Sequence, residues 1–333
     1  MKSNFYLMSH GVLRQHEGTL YFVRKLEDEL VKTPIPIERV GAIFAYGKVT
    51  LSSGCIDLLA KNDVCVHFFN LYGMKIATFM PRHKLASGKV LLAQVSAYND
   101  PSKRMKLASS FVSGAISNML LNLNYYSKTN PNLELLASEV GRYRTELRGA
   151  TTIEQLMGFE ANAHKSYYTF YDMVLKEPFR FEARTRRPPQ NYLNSLISFG
   201  NSLVYSTVLS EIYSTQLDPT ISYLHALYDR RFSLSLDISE VFKPLLADRV
   251  IFHLVNKGEI AEGDFSKELN GVLLNDSGRR KFIKHYEEKL ATTIKHRKLG
   301  REISYRTLIR LECYKLIKHL LGIEEYEPFV MWW

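Results

Sequence analysis

The sequence predicts an α+β protein, an N-terminal β-sandwich domain followed by a larger all-α domain. Short apolar runs broken by turn signals fill roughly the first eighty residues, as strands of a small β-unit do. From about Pro101 the period changes: Ala108, Val112, Ile116 and Met119 recur at helical spacing. The 333 residues are 46% hydrophobic, enough for two packed cores, so disorder is not the reading.

Strands are expected at Phe5–Met8, Val12–His16 and Thr19–Val23, separated by His10-Gly11 and Glu17-Gly18. The prolines of Thr33-Pro34-Ile35-Pro36 keep that stretch extended. The apolar run Val40–Tyr46 ends at Gly47, and Ser52 or Ser53 caps a short helix through Ala60. Val64–Phe69 and Met74–Phe79, flanking Tyr72-Gly73, complete the β-domain of residues 1–80. Residues 81–100 read as a linker, and 101–333 as the helical domain. Beyond the first helix, others are expected at Asn132–Arg148, Thr152–Leu175, Pro189–Ile212, Ile238–Asn256, Gly278–Lys298 and Tyr305–Leu321.

A net charge of +10 points to an anionic partner, nucleic acid or an anionic surface. No apolar run approaches the roughly 18 residues of a spanning helix, and the opening MKSNFYLMSHGVLRQHEG has no apolar core. The expectation is a cytoplasmic protein without a membrane partner. Three scattered cysteines, Cys55, Cys65 and Cys313, fit a reducing compartment and no cysteine-rich zinc site. Charge concentrates in Phe179–Pro189, with Arg180, Arg184, Arg186 and Arg187 before Pro188-Pro189. It concentrates again between Gly278 and His319, with thirteen Lys or Arg against four Glu. Either stretch reads as a solvated face or as a phosphate-contacting surface, and the overall charge favours the second.

No Walker loop, G-x-G-x-x-G, G-x-S-x-G or H-E-x-x-H occurs, so the usual signatures of nucleotide hydrolysis, dinucleotide redox chemistry and serine hydrolysis are missing. What remains are acids and a histidine in apolar surroundings. Glu160 lies mid-helix in EQLMGFEANAHKSYY, where it is also an ordinary helical glutamate. His225 sits in an apolar stretch after Asp218-Pro219, where a satisfied core histidine is the plain alternative. Asp237 and Glu240 share a helix face, with Asp237 expected as the N-cap and Glu240 as N3, a capping arrangement that needs no other explanation. If His225 is close, one nitrogen and two or three oxygens form a donor set for Mg²⁺ or Mn²⁺ rather than structural zinc.

Order and spacing are more specific than any single residue. The run SYLHALYDRRFSLSLDISEVFKPLLADRVI resembles the CRISPR-associated spacer-acquisition endonuclease and integrase family ("Cas-one"). That family shows Gly-aromatic-Leu-His, then Arg-x-Ser-Leu, then Asp-x-x-Glu/Asp-x-Phe-(Arg/Lys)-Pro. Here these stand as Tyr223-Leu224-His225, Arg231-Phe232-Ser233-Leu234 and Asp237-Ile238-Ser239-Glu240-Val241-Phe242-Lys243-Pro244. Gly158-Phe159-Glu160-Ala161 with Tyr167-Tyr168 matches its Glu-Ala segment, and Arg186-Arg187-Pro188-Pro189 with Asn191, Asn194 and Ser198 matches its Arg-Pro-Pro helix start. Thr19-Leu20-Tyr21, Pro34–Ile37 and Phe44–Gly47 match its β-domain, so the likeness covers nearly the whole chain. Two departures, Ile221 or Ser222 for the usual glycine and Lys243-Pro244 for Arg-Pro, bear on loop geometry and phosphate contact.

The resemblance implies a metal-dependent DNA endonuclease and integrase that inserts foreign DNA into a CRISPR array by phosphodiester transfer. It implies Glu160, His225 and Glu240 as catalytic ligands of Mg²⁺ or Mn²⁺, with Asp237 outside the ligand set. Arg184, Arg186, Arg187 and Arg231 would contact double-stranded or branched DNA. It further implies a homodimer and a small ferredoxin-like adaptation partner ("Cas-two"). The rival reading is a non-catalytic architectural nucleic-acid-binding protein, which accounts for the charge but not for three ionisable groups in apolar settings. A helical RNA-processing nuclease would instead cleave RNA without metal.

Overall fold

The strands expected at the start of the chain form in a computed structural model that describes all residues except 1, 28, 71–72, 83–84, 129, 187, 230, 269–270 and 333. The first unit, Met1–Leu85, contains β1 (Ser3–Leu7), β2 (Gly11–His16), β3 (Thr19–Leu26), β4 (Glu29–Ile35), β5 (Val40–Ala45), β6 (Val49–Leu51), helix α1 (Ser53–Lys61), β7 (Cys65–Phe69) and β8 (Lys75–Phe79). Two four-stranded sheets result, ordered β1-β5-β7-β8 and β4-β3-β2-β6. Alternation puts Leu13, Leu20 and Phe22 into a core shared with Leu7, Val40, Ile43, Leu59 and Val66. Strand β5 runs parallel to both β1 and β7 and is buried almost throughout, which explains its unbroken apolar sequence. Between β2 and β3, Glu17 and Gly18 both take positive φ, 46° and 76°, the geometry a two-residue hairpin demands. Ser52 caps α1, its hydroxyl accepting from the Cys55 N–H at 3.3 Å. The extended proline stretch is part of β4, an edge strand where a missing N–H costs little.

The second unit, Ala86–Trp333, begins inside the stretch expected as a linker. Within residues 81–100, Gly88–Asn99 form helix α2, which packs on α3 (Pro101–Ser127). Asp100 separates the two: its carboxylate accepts from the Ser102 and Lys103 N–H groups at 3.0 and 3.1 Å, and Pro101 takes the first helical position. There follow α4 (Asn132–Glu146), α5 (Ile153–Val174), α6 (Tyr192–Tyr213), α7 (Leu234–Phe242) and α8 (Arg249–Asn256). Then come β9 (Phe265–Glu268), β10 (Gly271–Leu274), α9 (Asp276–Ala291), β11 (Thr293–Lys295), β12 (Glu302–Ser304) and α10 (Tyr305–Leu320). The unit is therefore predominantly helical rather than all-α. Its two antiparallel hairpins, β9 with β10 and β11 with β12, have strands too short for a periodic signal.

The single helix expected over Ile238–Asn256 is also interrupted. Pro244 has no N–H, so the chain passes through a π-helical turn, Pro244–Asp248, closed by the Asp248 N–H on the Lys243 carbonyl at 3.2 Å. Helix α6 is buried along most of its length and lies against α7 and α10. Helix α3 fastens α7 through two buried asparagines. Asn118 donates to the carbonyls of Val241 and Phe329, both at 2.9 Å, and accepts from the Met331 N–H at 3.1 Å. Asn122 donates to the Pro244 carbonyl and to the Tyr167 hydroxyl, both at 2.8 Å. Each buried amide thereby ties α7 or the turn after it to α3, and Asn122 adds α5.

Candidate active site

Helix α5 contributes Glu160 and, one turn on, His164, which share a face. Helix α7 contributes Asp237 and Glu240, three residues apart and both buried. The segment between α6 and α7 contributes His225. Asp237 is not the helix N-cap, and Glu240 is not N3. Helix α7 opens at Leu234, with Ser233 before it, which leaves Asp237 a full turn inside; the Ser233 hydroxyl makes no cap and donates to the Thr220 carbonyl at 2.8 Å. There the Asp237 carboxylate collects three successive backbone N–H groups, from Tyr223 at 2.6 Å, Leu224 at 3.1 Å and His225 at 3.0 Å. The same carboxylate lies 2.8 Å from His225 Nδ1. Asp237 therefore shapes the loop that presents His225, and the ring nitrogen it holds leaves Nε2 for a ligand.

Glu160 and Glu240 come together across the α5–α7 interface, with donor atoms of Glu160, His164 and Glu240 all within 4.8 Å of one another. His164 Nε2 is 3.4 Å from Glu240 and 4.0 Å from Glu160. Its Nδ1 has no hydrogen-bond partner among the described residues. Burial holds the His164 pKa below its ordinary value. Burial works the same way on His225, but the Asp237 hydrogen bond and charge, with Glu240 and Glu160 behind them, outweigh it and raise its pKa. Burial, and then the charge of Glu240, push Glu160 up to about 8. Burial also opposes the Glu240 carboxylate, yet Lys243, whose Nζ is 2.5 Å away, together with the His164 hydrogen bond and the charges of His164 and His225, outweighs it and draws the Glu240 pKa down.

The Glu160 and Glu240 carboxylates thus share one group with the His164 imidazole, and the Lys243 ammonium pairs with Glu240. The oxygen-rich donor set fits Mg²⁺ or Mn²⁺. His164 and Lys243, unlike Glu240, are not among the site residues expected from the sequence. The i,i+4 spacing of Glu160 and His164 on one helix was the available signal for the first.

The arginines divide. Arg184 is half-buried and engaged on α6, donating to Asn194 Oδ1 at 2.9 Å and Ser198 Oγ at 3.1 Å, and also to the Thr185 carbonyl. Arg186 is exposed, and its charge reaches His164. Arg231 is exposed beside the Tyr228 ring, 5.6 Å from its centroid. Arg187 lies outside the described residues.

The family model for CRISPR associated protein Cas1 matches residues 5–288. The chain is 49% identical over 332 residues to the CRISPR-associated protein Cas1 1 of Methanobrevibacter ruminantium, covering 100% of this chain and 99% of that protein. It is 48% identical over 332 residues to the CRISPR-associated endonuclease Cas1 of Methanothermobacter thermautotrophicus, covering 100% of this chain and 96% of that protein. Among solved structures, a CAS1 protein from Thermotoga maritima is 40% identical with a TM-score of 0.86, covering 97% of this chain and 98% of the other.

Proposed function

This chain belongs to the CRISPR-associated Cas1 family, and from that premise we propose that it is a metal-dependent DNA endonuclease and integrase of spacer acquisition. The observation that carries the reading is the meeting of Glu160 and Glu240 with His164 in one group; His225, which Asp237 orients, stands outside that group but within reach of the charges of both glutamates. A purely architectural DNA-binding protein has no use for two mutually repelling buried carboxylates.

In this reading Glu160, His225 and Glu240 hold Mg²⁺ or Mn²⁺. Bound there, the ion neutralises charge at the scissile phosphate and lowers the pKa of the attacking hydroxyl. The reaction is a displacement at phosphorus: the 3′-hydroxyl of an incoming strand forms a new phosphodiester, and the repeat strand leaves with the proton on its own 3′-oxygen. Water in place of the strand gives hydrolysis. Asp237 fixes the His225 ring, and Lys243 keeps Glu240 ionised before any substrate enters. Arg186 and Arg231, both exposed, contact backbone phosphates of double-stranded or branched DNA, while Arg184 braces the segment that carries Arg186.

The family resemblance extends the proposal to a homodimer built on the N-terminal unit, whose two sheets form a sandwich, and to the small ferredoxin-like partner "Cas-two". A cytoplasmic location follows from the same reading, and among the described residues no helix is long and apolar enough to cross a membrane. The test is Mn²⁺-dependent nicking and strand transfer on branched DNA by the full chain. Activity lost on chelation and absent from Glu160→Gln supports the proposal. DNA binding with no cleavage under any divalent ion leaves the architectural reading.

A further inference from the structure

A second group of ligating side chains lies on elements that carry none of the active-site residues. His253 stands in the last turn of α8, Glu259 follows just after that helix, and His285 stands on α9. The local chain dictates the first two. After α8 the backbone turns at Gly258, whose φ of +68° is the left-handed conformation that glycine adopts without strain. The Glu259 N–H then bonds back to the Leu254 carbonyl at 2.9 Å, so Glu259 is delivered beside His253. Packing of α8 on α9 brings His285 to the same point.

The result is convergent. His253 Nε2 lies 3.1 Å from Glu259 Oε1, His285 Nε2 lies 2.6 Å from Glu259 Oε2, and the rings are 4.7 Å apart between centroids. Donor atoms of all three residues fall within 4.8 Å of one another. A tetrahedral ion with bonds of about 2.0–2.1 Å requires donors roughly 3.3 Å apart, a separation inside the range that this group already spans, from 2.6 Å to within 4.8 Å. The other nitrogen of His285 is 3.3 Å from the Glu288 carboxylate, one turn further along α9. A carboxylate in that position fixes the tautomer that leaves Nε2 free for a ligand, as the outer partners of metal-binding histidines do. His253 and Glu259 are 44% and 42% exposed, so an ion can reach them from solvent.

We propose that His253, Glu259 and His285 form a site for a first-row transition ion of the Zn²⁺ class, which joins the end of α8 to α9. Two imidazoles and one carboxylate make three protein ligands with a fourth position open to water, a donor set that prefers Zn²⁺ or Co²⁺ to Mg²⁺. The site differs in chemistry from the oxygen-rich one between α5 and α7, and it stands whether or not that site cleaves DNA.

Co²⁺ is the probe, used on the full-length chain carrying Glu160→Gln so that the first site has lost a ligand. The expected result is one equivalent of Co²⁺ with intense tetrahedral visible absorption, displaced by Zn²⁺. His253→Gln with His285→Gln should abolish those bands and weaken Co²⁺ binding at least tenfold. Glu259→Gln, a change at an exposed turn, should weaken it about tenfold with the helices intact by circular dichroism. Absence of the bands in the parent, or their survival in the double-histidine variant, would overturn the proposal and leave an ion-paired surface cluster only.

Discussion

The Asp237 carboxylate holds His225 twice, accepting the residue's backbone N–H at 3.0 Å and lying 2.8 Å from its ring Nδ1. A residue that shares a helix face with Glu240 is here the organiser of a loop 12 residues upstream.

Asp237→Asn is therefore expected to be severe. One amide oxygen cannot accept from three N–H groups and the ring, and the amide NH₂ faces donors. Leaving buried N–H groups unsatisfied costs about 1–3 kcal/mol each. Cleavage should fall at least tenfold and the melting temperature should drop, read by nuclease assay and thermal scanning on one preparation. Normal activity in this variant would return Asp237 to a passive place in the helix.

Glu160→Gln and Glu240→Gln should both abolish Mn²⁺-dependent cleavage yet move stability in opposite directions. Glu160 holds its proton to about 8 in the fold against an ordinary 4.5. The folded state therefore loses stability as pH rises through that window, with no penalty below it and the full penalty above. In EDTA at pH 8, Glu160→Gln should raise stability by about 1–3 kcal/mol, and at pH 4 it should match the parent. Glu240→Gln strands the buried Lys243 ammonium and should cost about 3–5 kcal/mol. Shifts of the same sign at pH 8 would refute this electrostatic account.

Arg186→Ala and Arg231→Ala should each reduce the slope of log binding constant against log salt by about 0.9, without a change in melting temperature. Arg184→Ala should instead lower the melting temperature, because its guanidinium bonds Asn194 and Ser198. A salt slope untouched by the first two variants would place the DNA path elsewhere.

The homodimer is expected to involve the β4 edge. Among the described residues β4 pairs only with β3, and Leu30 on it is 69% exposed. The apolar run Val40–Tyr46 is buried within its own unit and offers no such edge. Leu30→Lys in the full chain should weaken dimerisation at least tenfold by light scattering across a dilution series. An unchanged dimer mass would move the interface off this strand.

Much of the architecture was legible in the chain because alternation and helical periodicity record which faces are buried. The Ser52 cap, the Glu17-Gly18 turn, the apolar β5 run and most helices from α3 onward were readable locally, but the break between α7 and α8 and the end of α9 at Ala291 were not. Strands of three or four residues, as in β11 and β12, were not, because they are shorter than any period that could reveal them. The order of the segments around Glu160, His225 and Glu240 also sufficed to identify a family.

Tertiary structure decided the rest. Asp237 organises a loop because the N–H groups of Tyr223, Leu224 and His225, from a segment before α7, are brought to its carboxylate, which is a tertiary contact and not a local propensity. Pro244 lies inside a run that reads as one helix, and the π-helical turn that absorbs it is held by Asn122 on α3, far away in the chain. His164 meets Glu240 across 76 positions, and His285 meets Glu259 across 26. A sequence records which side chains tend inward, whereas the distance between two of them is set only when the helices that carry them pack.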